Sequence, residues 1–372
     1  MPTAVLAGAF GQRNPGDEAL LDAFIGGLPD WDVIATASVP PHGRDTETVS
    51  SDDPARVARA VARADAVVFA GGTVFKELSP RTGRPPLDLL QKGAAMAYGA
   101  KALGKRLAMV GVGAAPIRPG RGQRLVRRLI RSADLLVLRD EESASVLAGL
   151  GAPTPFRIGA DPAWTLVEQQ PDLREPGDRI IVALSTEAGD GELADELAAA
   201  LVPLLAQGLQ VALQPWQVGG PVRPDDLDMA RALAARLGGT TDILLPPADL
   251  GEAIETFAEA RLVVGLRFHA LVAAAAAGRP FVAYAHEPKL AAAARRFGQP
   301  SVLPADGGDA LAAVLLSAAN NPAPPSLSAV RGEVARAEES MRLLRLVLSD
   351  GQAGEPESIG TLPLVPLEWS TP

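Results

Sequence analysis

Residues 260–290 read ARLVVGLRFHALVAAAAAGRPFVAYAHEPKL, and the alternation inside this stretch decides the fold. Leu262–Gly265 and Phe281–Tyr284 are short, continuous apolar runs, the pattern of strands covered on both faces. Between them Ala270–Gly278 predicts a buried helix, and Pro288 opens another, with Lys289 in its first turn. Strand, helix, strand, helix is the signature of a parallel sheet. Working outward, Val5–Phe10, Ala66–Ala70, Leu107–Gly111, Leu135–Leu138, Ile180–Leu184 and Val211–Leu213 repeat the strand pattern, with Ala-rich or Arg-rich helical stretches between most of them. The class predicted is α/β, doubly wound and Rossmann-like.

A chain of 372 residues exceeds what one core usually supports, so two domains are expected. Thr165–Asp178 breaks the alternation with Gln169, Gln170, Pro171, Pro176 and Gly177, and reads as the linker. The predicted division is an α/β domain over 1–165, a second over 178–325, a C-terminal helix over 326–350 and a mobile tail over 351–372. The helix shows as one apolar stripe through Val330, Val334, Ala337, Met341, Leu344 and Leu348. Two doubly wound domains facing a cleft form the architecture of GT-B transferases.

The net charge of −9 argues against nucleic acid as a partner, since such binding rests on a basic face that neutralises phosphates. The absence of cysteine excludes disulfides, zinc–thiolate sites and thiol nucleophiles. No metal-ligand cluster stands out. The apolar run Ala4–Phe10 lacks a basic flank and reads as a first strand rather than a signal peptide. Ala270–Gly278 is far short of the ~20 residues that span a bilayer. A soluble, cytoplasmic protein is expected.

In open parallel sheets, ligands bind beyond the carboxyl ends of the strands. Three predicted strands end in Gly71-Gly72, Arg139-Asp140 and Arg267-Phe268-His269. If the backbone stays extended through the last of these, Arg267 and His269 share one face. A cation beside an imidazole at a strand end points to catalysis rather than to a structural histidine. Lys289 reads equally as an anion ligand at a helix start or as a solvated lysine. Arg139 reads as a cation at a strand tip or as the partner of a neighbouring acid, with Asp140, Glu141 and Glu142 suited to a helix N-terminus. Asn14-Pro15-Gly16-Asp17-Glu18 signals a turn into a helix that starts near Asp17, with Asp17 as its N-cap. It lacks the spacing of a dinucleotide or P-loop site. Gly71, Gly72 and Thr73, like Gly111-Val112-Gly113, allow close approach of a ligand or simply make tight turns. Asp161-Pro162 reads as the end of the first domain.

Taken in order, Asn14–Leu21, Gly71-Gly72-Thr73-Val74-Phe75, Gly111-Val112-Gly113 with Pro116, Leu138–Ser143, Ala160-Asp161-Pro162-Ala163, and Arg267-Phe268-His269-Ala270 through Gly278-Arg279-Pro280 to Pro288-Lys289 resemble the polysaccharide pyruvyl transferase family. The resemblance implies a GT-B-like fold and phosphoenolpyruvate as donor. It also implies a sugar acceptor in a cell-wall or exopolysaccharide precursor, and a pyruvate ketal as product. Arg267 and His269 would then be the catalytic residues, with His269 as acid. Arg139, Arg267 and Lys289 would hold the donor, while Asn14, Gly16, Asp17, Glu18, Gly71, Gly72 and Thr73 would lie towards the acceptor. Phosphoenolpyruvate is a substrate, so no cofactor is expected, and a lipid-linked acceptor would bring peripheral membrane association. The chain departs from the family at Thr73, where glycine is usual, at Lys76-Glu77, and at Ala285-His286-Glu287, where Tyr-Asp commonly precedes Pro-Lys. Two alternatives share these residues: a nucleotide-sugar glycosyltransferase of the same fold, and a non-catalytic sugar- or phosphate-binding relative.

Overall fold

The computed structural model describes all residues except 42, 45, 152–154, 168–176, 190, 220–224, 239–240, 351–363 and 366–372. It divides into two compact units. The first comprises Met1–Gln12, Asp17–Thr165 and Glu333–Pro372, and the second Arg13–Gly16 and Leu166–Gly332.

The first unit is built on strands β1 (Thr3–Phe10), β2 (Asp32–Ala37), β3 (Glu47–Ser50), β4 (Ala66–Ala70), β5 (Thr73–Phe75), β6 (Arg106–Ala114), β7 (Leu135–Leu138) and β8 (Phe156–Ile158). The sheet order is β8-β7-β6-β4-β1-β2-β3 with β5 beside β6, and every pairing among these strands is parallel. Helices α1 (Pro15–Gly27), α2 (Pro54–Arg63), α3 (Asp88–Ala102), α4 (Arg121–Ser132) and α5 (Glu141–Gly149) make the crossovers. The strand order changes direction at β1 and β4, so their carboxyl ends flank the switch point where open α/β sheets form crevices.

The second unit holds β9 (Arg179–Ala183), β10 (Gln210–Gln214), β11 (Asp242–Ile243), β12 (Leu262–Gly265), β13 (Phe281–Tyr284) and β14 (Ser301–Val302), in the order β11-β10-β9-β12-β13-β14. Again all pairs are parallel. Its helices are α6 (Gly191–Ala206), α7 (Asp226–Leu237), α8 (Leu250–Ala258), α9 (Phe268–Ala276), α10 (Pro288–Arg296) and α11 (Gly307–Asn320). The switch point here lies between β9 and β12. Helix α9 is buried from His269 to Ala276, and its alanines let it lie close to the sheet. A Cβ on Gly265 would overlap the Leu271 side chain, so the glycine at the end of β12 is what permits that approach.

The strands expected from sequence are all present, to within a few residues at their ends. Those not foreseen are β2, β3, β5, β8, β11, β14 and a late strand, β15 (Leu364–Val365); all but β2 have only two to four residues. Six-residue β2 mixes Asp32 and Thr36 into its apolar run, which masked it.

The last helix is α12 (Leu327–Asp350), within one residue of the helix expected at 326–350. From Glu333 onward it belongs to the first unit. Ser340 lies against Gly159, the Met341 thioether lies against Gly27, and the Arg345 guanidinium donates to the Gly27 carbonyl. Met341 of the apolar stripe read from sequence thus packs on the first unit, far away along the chain. Most of the expected tail lies outside the described residues, but Leu364–Val365 pair antiparallel with β8 at the sheet edge. Of the expected linker, Thr165–Asp178, residues 168–176 also lie outside them. Among the described residues, no helix is long and apolar enough to cross a membrane.

Met341 is 2% exposed, so Met341→Ala should cost about 2–5 kcal/mol. Hydrogen exchange should accelerate in β1–β8 and stay unchanged in β9–β14; equal acceleration in both sets would contradict the placement of α12 on the first unit.

Candidate active site

In the second unit the site grows from the end of β12. The backbone is extended only as far as Arg267, which is the N-cap of α9 with φ −126° and ψ 141°. His269 is then the second residue of the helix, so Arg267 and His269 do not share a strand face as expected. Helix formation wins because the alanine run that follows buries against β12 and carries the helix back to Phe268.

Arg267 is 8% exposed and its charge is met inside the protein. Its Nε and Nη2 donate to Asp226 Oδ2 at 3.0 and 2.7 Å, and Nε also reaches the Leu184 carbonyl at 3.1 Å. Asp226 is fully buried. Its Oδ1 accepts from the Thr186 amide at 2.9 Å and hydroxyl at 3.2 Å, and its Oδ2 from the Trp216 and Gln217 amides at 3.2 and 2.8 Å. One carboxylate thus gathers the segments that follow β9 and β10 and the arginine that follows β12, at the switch point of the sheet.

Sequence reasoning missed Asp226. The available signal was Asp225-Asp226-Leu227-Asp228, which reads as a helix start. Asp225 and Asp228 do form a capping box there. Nothing in the spacing says that the middle acid turns inward.

His269 sits in the first turn of α9, 9% exposed. A Cβ on Gly16 would overlap its ring, so glycine at that position is what leaves room for the imidazole. Gly16 and His269 both belong to the second unit. Lys289 lies in the first turn of α10, partly exposed and ion-paired with Glu287. Neither Arg267 nor Glu287, the N-cap residues of α9 and α10, caps its helix with its own side chain. Both helices follow neighbouring parallel strands, so their positive ends point to the same edge of the sheet. His286, one of the departures from the family pattern, bonds through Nε2 to the Leu266 carbonyl at 3.0 Å and ties the β13 loop to the end of β12. Burial pushes its pKa below the usual imidazole value, against the opposing effect of that bond.

The β1–α1 loop differs from expectation. Helix α1 starts at Pro15, and the Gly16 amide donates to Asn14 Oδ1 at 3.2 Å, so Asn14 rather than Asp17 is the capping residue. Asp17 falls in the first turn, half-buried. Glu18 is 6% exposed; its Oε1 accepts the Gly11 amide at 2.8 Å and its Oε2 lies 3.8 Å from Arg44. Burial raises its pKa above the usual carboxylate value, with the Gly11 bond and Arg44 opposing. Glu18 therefore clamps the loop rather than facing outward.

In the first unit the remaining motifs meet at Arg139. Its Nε donates to Asp140 at 2.9 Å, Nη2 donates to Thr73 Oγ1 at 3.1 Å, and Nη1 lies 3.7 Å from Asp161. A Cβ on Gly113 would come within 2.9 Å of the guanidinium, so Gly113 is the floor on which it lies. Gly71 and Gly72 both have positive φ, and the Gly72 carbonyl accepts the Gly113 amide at 2.7 Å. Gly111 also has positive φ, and a Cβ there would overlap Pro162. Asp161-Pro162 is thus part of this constellation and not merely a domain end. Thr73, where the family usually has glycine, supplies a hydroxyl to the arginine. Arg139 was expected to face a ligand; it is instead 5% exposed between two carboxylates. Asp140 caps α5 through Ser143. Burial alone would raise its carboxyl, but Arg139 and Ser143 outweigh this and hold it below the usual range. Among the described residues no group of three or more His, Asp or Glu could hold a metal ion.

This combination of two parallel-sheet units with motif residues at the carboxyl ends of their strands is GT-B-like, and solved structures agree. UDP-GlcNAc 2-epimerase from Methanocaldococcus jannaschii superposes with a TM-score of 0.61 over 93% of this chain and 100% of its own, at 13% identity. Anabaena HepE, solved with UDP and glucose, gives 0.56 over 92% and 95%, at 14% identity. A UDP-glucosyltransferase from Polygonum tinctorium gives 0.51 over 94% and 95%, at 13% identity. No curated protein sequence matches the chain. The family model for polysaccharide pyruvyl transferase matches residues 14–288. The chain belongs to the polysaccharide pyruvyl transferase family.

Two stability outcomes follow from this geometry. Asp226→Ala would leave Arg267 buried without its counterion and should cost about 3–5 kcal/mol in urea melts; a loss under about 1 kcal/mol would mean that the pair is not an anchor. For Glu18, a raised folded-state pKa means that stability is fully present below the unfolded value and is lost as pH rises through the folded one. Glu18→Gln, which keeps an acceptor for Gly11, should therefore gain stability relative to wild type on going from mildly acidic to neutral pH. A constant difference across that range would show that Glu18 titrates as it does in the unfolded chain.

Proposed function

We propose that the protein transfers the enolpyruvyl group of phosphoenolpyruvate to a pair of hydroxyls on a saccharide, forming a pyruvate ketal and releasing phosphate. Family membership supports the reaction class. The observation that carries the assignment is the arrangement of His269, Lys289 and the starts of α9 and α10 at one edge of the second sheet. An anion placed there meets the positive ends of α9 and α10 together with an ammonium group.

In this proposal His269 delivers a proton to C3 of the donor, converting the methylene to a methyl group and leaving C2 oxocarbenium-like. Imidazole is the side chain best suited to proton delivery near neutral pH. A first acceptor hydroxyl adds to C2 and gives up its proton. The C2–O bond to phosphate then breaks, and a second hydroxyl attacks C2 to close the ketal, its proton passing to the departing phosphate. Lys289 and the Nη1 of Arg267, which takes no part in the bonds to Asp226, hold the donor's anionic groups. Asp226 positions Arg267. Arg139, with its charge met by Asp140 and Asp161, shapes the glycine turns of the first unit, and the acceptor is assigned to that unit's loop around Asp17.

The test is incubation with phosphoenolpyruvate and a panel of galactose, glucose, mannose and N-acetylhexosamine acceptors, reading phosphate release and acid-labile ketals by mass. Turnover of a nucleotide sugar without phosphoenolpyruvate consumption would replace this reading with that of a glycosyltransferase. His269→Ala should lower turnover by about 10²–10⁴-fold with an unchanged melting temperature. Lys289→Ala should weaken phosphoenolpyruvate binding by about 1.5–3 kcal/mol while leaving acceptor KM near wild type. Near-normal transfer by the histidine variant would remove the assigned acid.

A further inference from the structure

Helix α4 carries Arg121, Arg124, Arg127, Arg128 and Arg131 and no acidic residue. Arg121, Arg124, Arg128 and Arg131 recur at spacings of three and four on one exposed face, with half-buried Arg127 beside them. The opposite face, through Val126, Leu129 and Ile130, is buried in the core of the first unit. None of the five arginines forms an ion pair with a described residue. Arg118, just before the helix, does pair, with Glu77 at 2.6 Å.

The arrangement works against folding. Like charges one turn apart repel, and Arg121 and Arg124 oppose the positive end of the helix, where no side chain caps the first amides. A chain with net charge −9 has acids in excess, yet among the described residues no acid forms an ion pair with these arginines. Beside α4 packs α3, and Lys101 near its end bonds to Asp134 just beyond α4 at 2.7 Å. At this end of α3, Tyr98 and Leu103 are 39% and 53% exposed. A basic helix face beside a helix whose end exposes an aromatic and an aliphatic side chain matches the charge and polarity profile of an anionic bilayer surface.

We propose that the arginine face of α4, with Tyr98 and Leu103 at its margin, docks this protein on anionic lipid bilayers. A nucleic acid fits less well. The apolar side of α4 is committed to the core, so the helix cannot enter a groove, and phosphates make no use of Tyr98 or Leu103. The inference stands on this surface alone and is independent of the reaction proposed above.

The experiment is cosedimentation of the full chain with vesicles of phosphatidylcholine alone or of phosphatidylcholine mixed with phosphatidylglycerol. Wild type should bind the mixed vesicles, release with added salt, and leave the neutral ones in the supernatant. Arg121→Gln, Arg124→Gln, Arg128→Gln and Arg131→Gln combined should lower the partition at least ten-fold with an unaltered melting curve. Arg56→Gln with Arg231→Gln, which removes exposed charge elsewhere, should not. Equal binding to both vesicle types, salt-insensitive binding by wild type, or an unchanged partition of the quadruple variant would overturn the proposal. So would arginine-dependent binding of a DNA duplex at lower protein concentration than the mixed vesicles, or an arginine-dependent dimer by size-exclusion chromatography without vesicle binding. Transfer to a soluble acceptor should be unaffected in the quadruple variant, so failure here and failure of the proposed reaction are read separately.

Discussion

The fully buried carboxylate of Asp226 and the guanidinium it holds organise the second unit at its switch point. A charge pair removed from water loses its hydration and is tolerated only where further hydrogen bonds complete it. Asp226 meets that condition through three backbone amides and the Thr186 hydroxyl. The segments after β9 and β10 are thereby fixed relative to the end of β12. Arg267 is also the N-cap residue from which α9 starts, so the orientation of His269 depends on the same pair. A disturbance at Asp226 is transmitted through covalent neighbours and does not require a long pathway.

The first unit solves a similar problem with a different set of parts. Arg139 ends β7 as Arg267 ends β12, and both are nearly excluded from solvent. Two acids and a threonine hydroxyl surround Arg139, while glycine provides the surface beneath it. Here left-handed glycines at Gly71, Gly72 and Gly111 bring the strand ends into place, because side chains at these angles would be strained and two of the three would also overlap neighbours. Buried arginines at strand ends thus tie neighbouring segments together in both units, whereas Lys289 is the more accessible cation.

The departures from the family pattern also have structural partners. Thr73 bonds to Arg139, His286 bonds to the Leu266 carbonyl, and Glu287 pairs with Lys289. Each change is absorbed by the framework next to the site.

The sequence by itself determined the α/β class, the parallel sheets and the position of most long strands, because continuous apolar runs alternating with helical stretches leave few other ways to bury both faces. It also singled out Arg139, Arg267, His269 and Lys289, since charged residues at the ends of buried strands are conspicuous in a linear reading. What it could not supply was direction and partnership. Asp226 looks like an ordinary first-turn acid, Asp161 like a boundary residue, and Asp17 a better cap than Asn14, because side-chain direction at a helix start depends on which amides the packed chain leaves nearby. The same limit applied to α12: its apolar stripe was legible, but only the tertiary structure decided that the helix from Glu333 onward belongs with the first unit, since periodicity specifies a face and not the surface that will bury it.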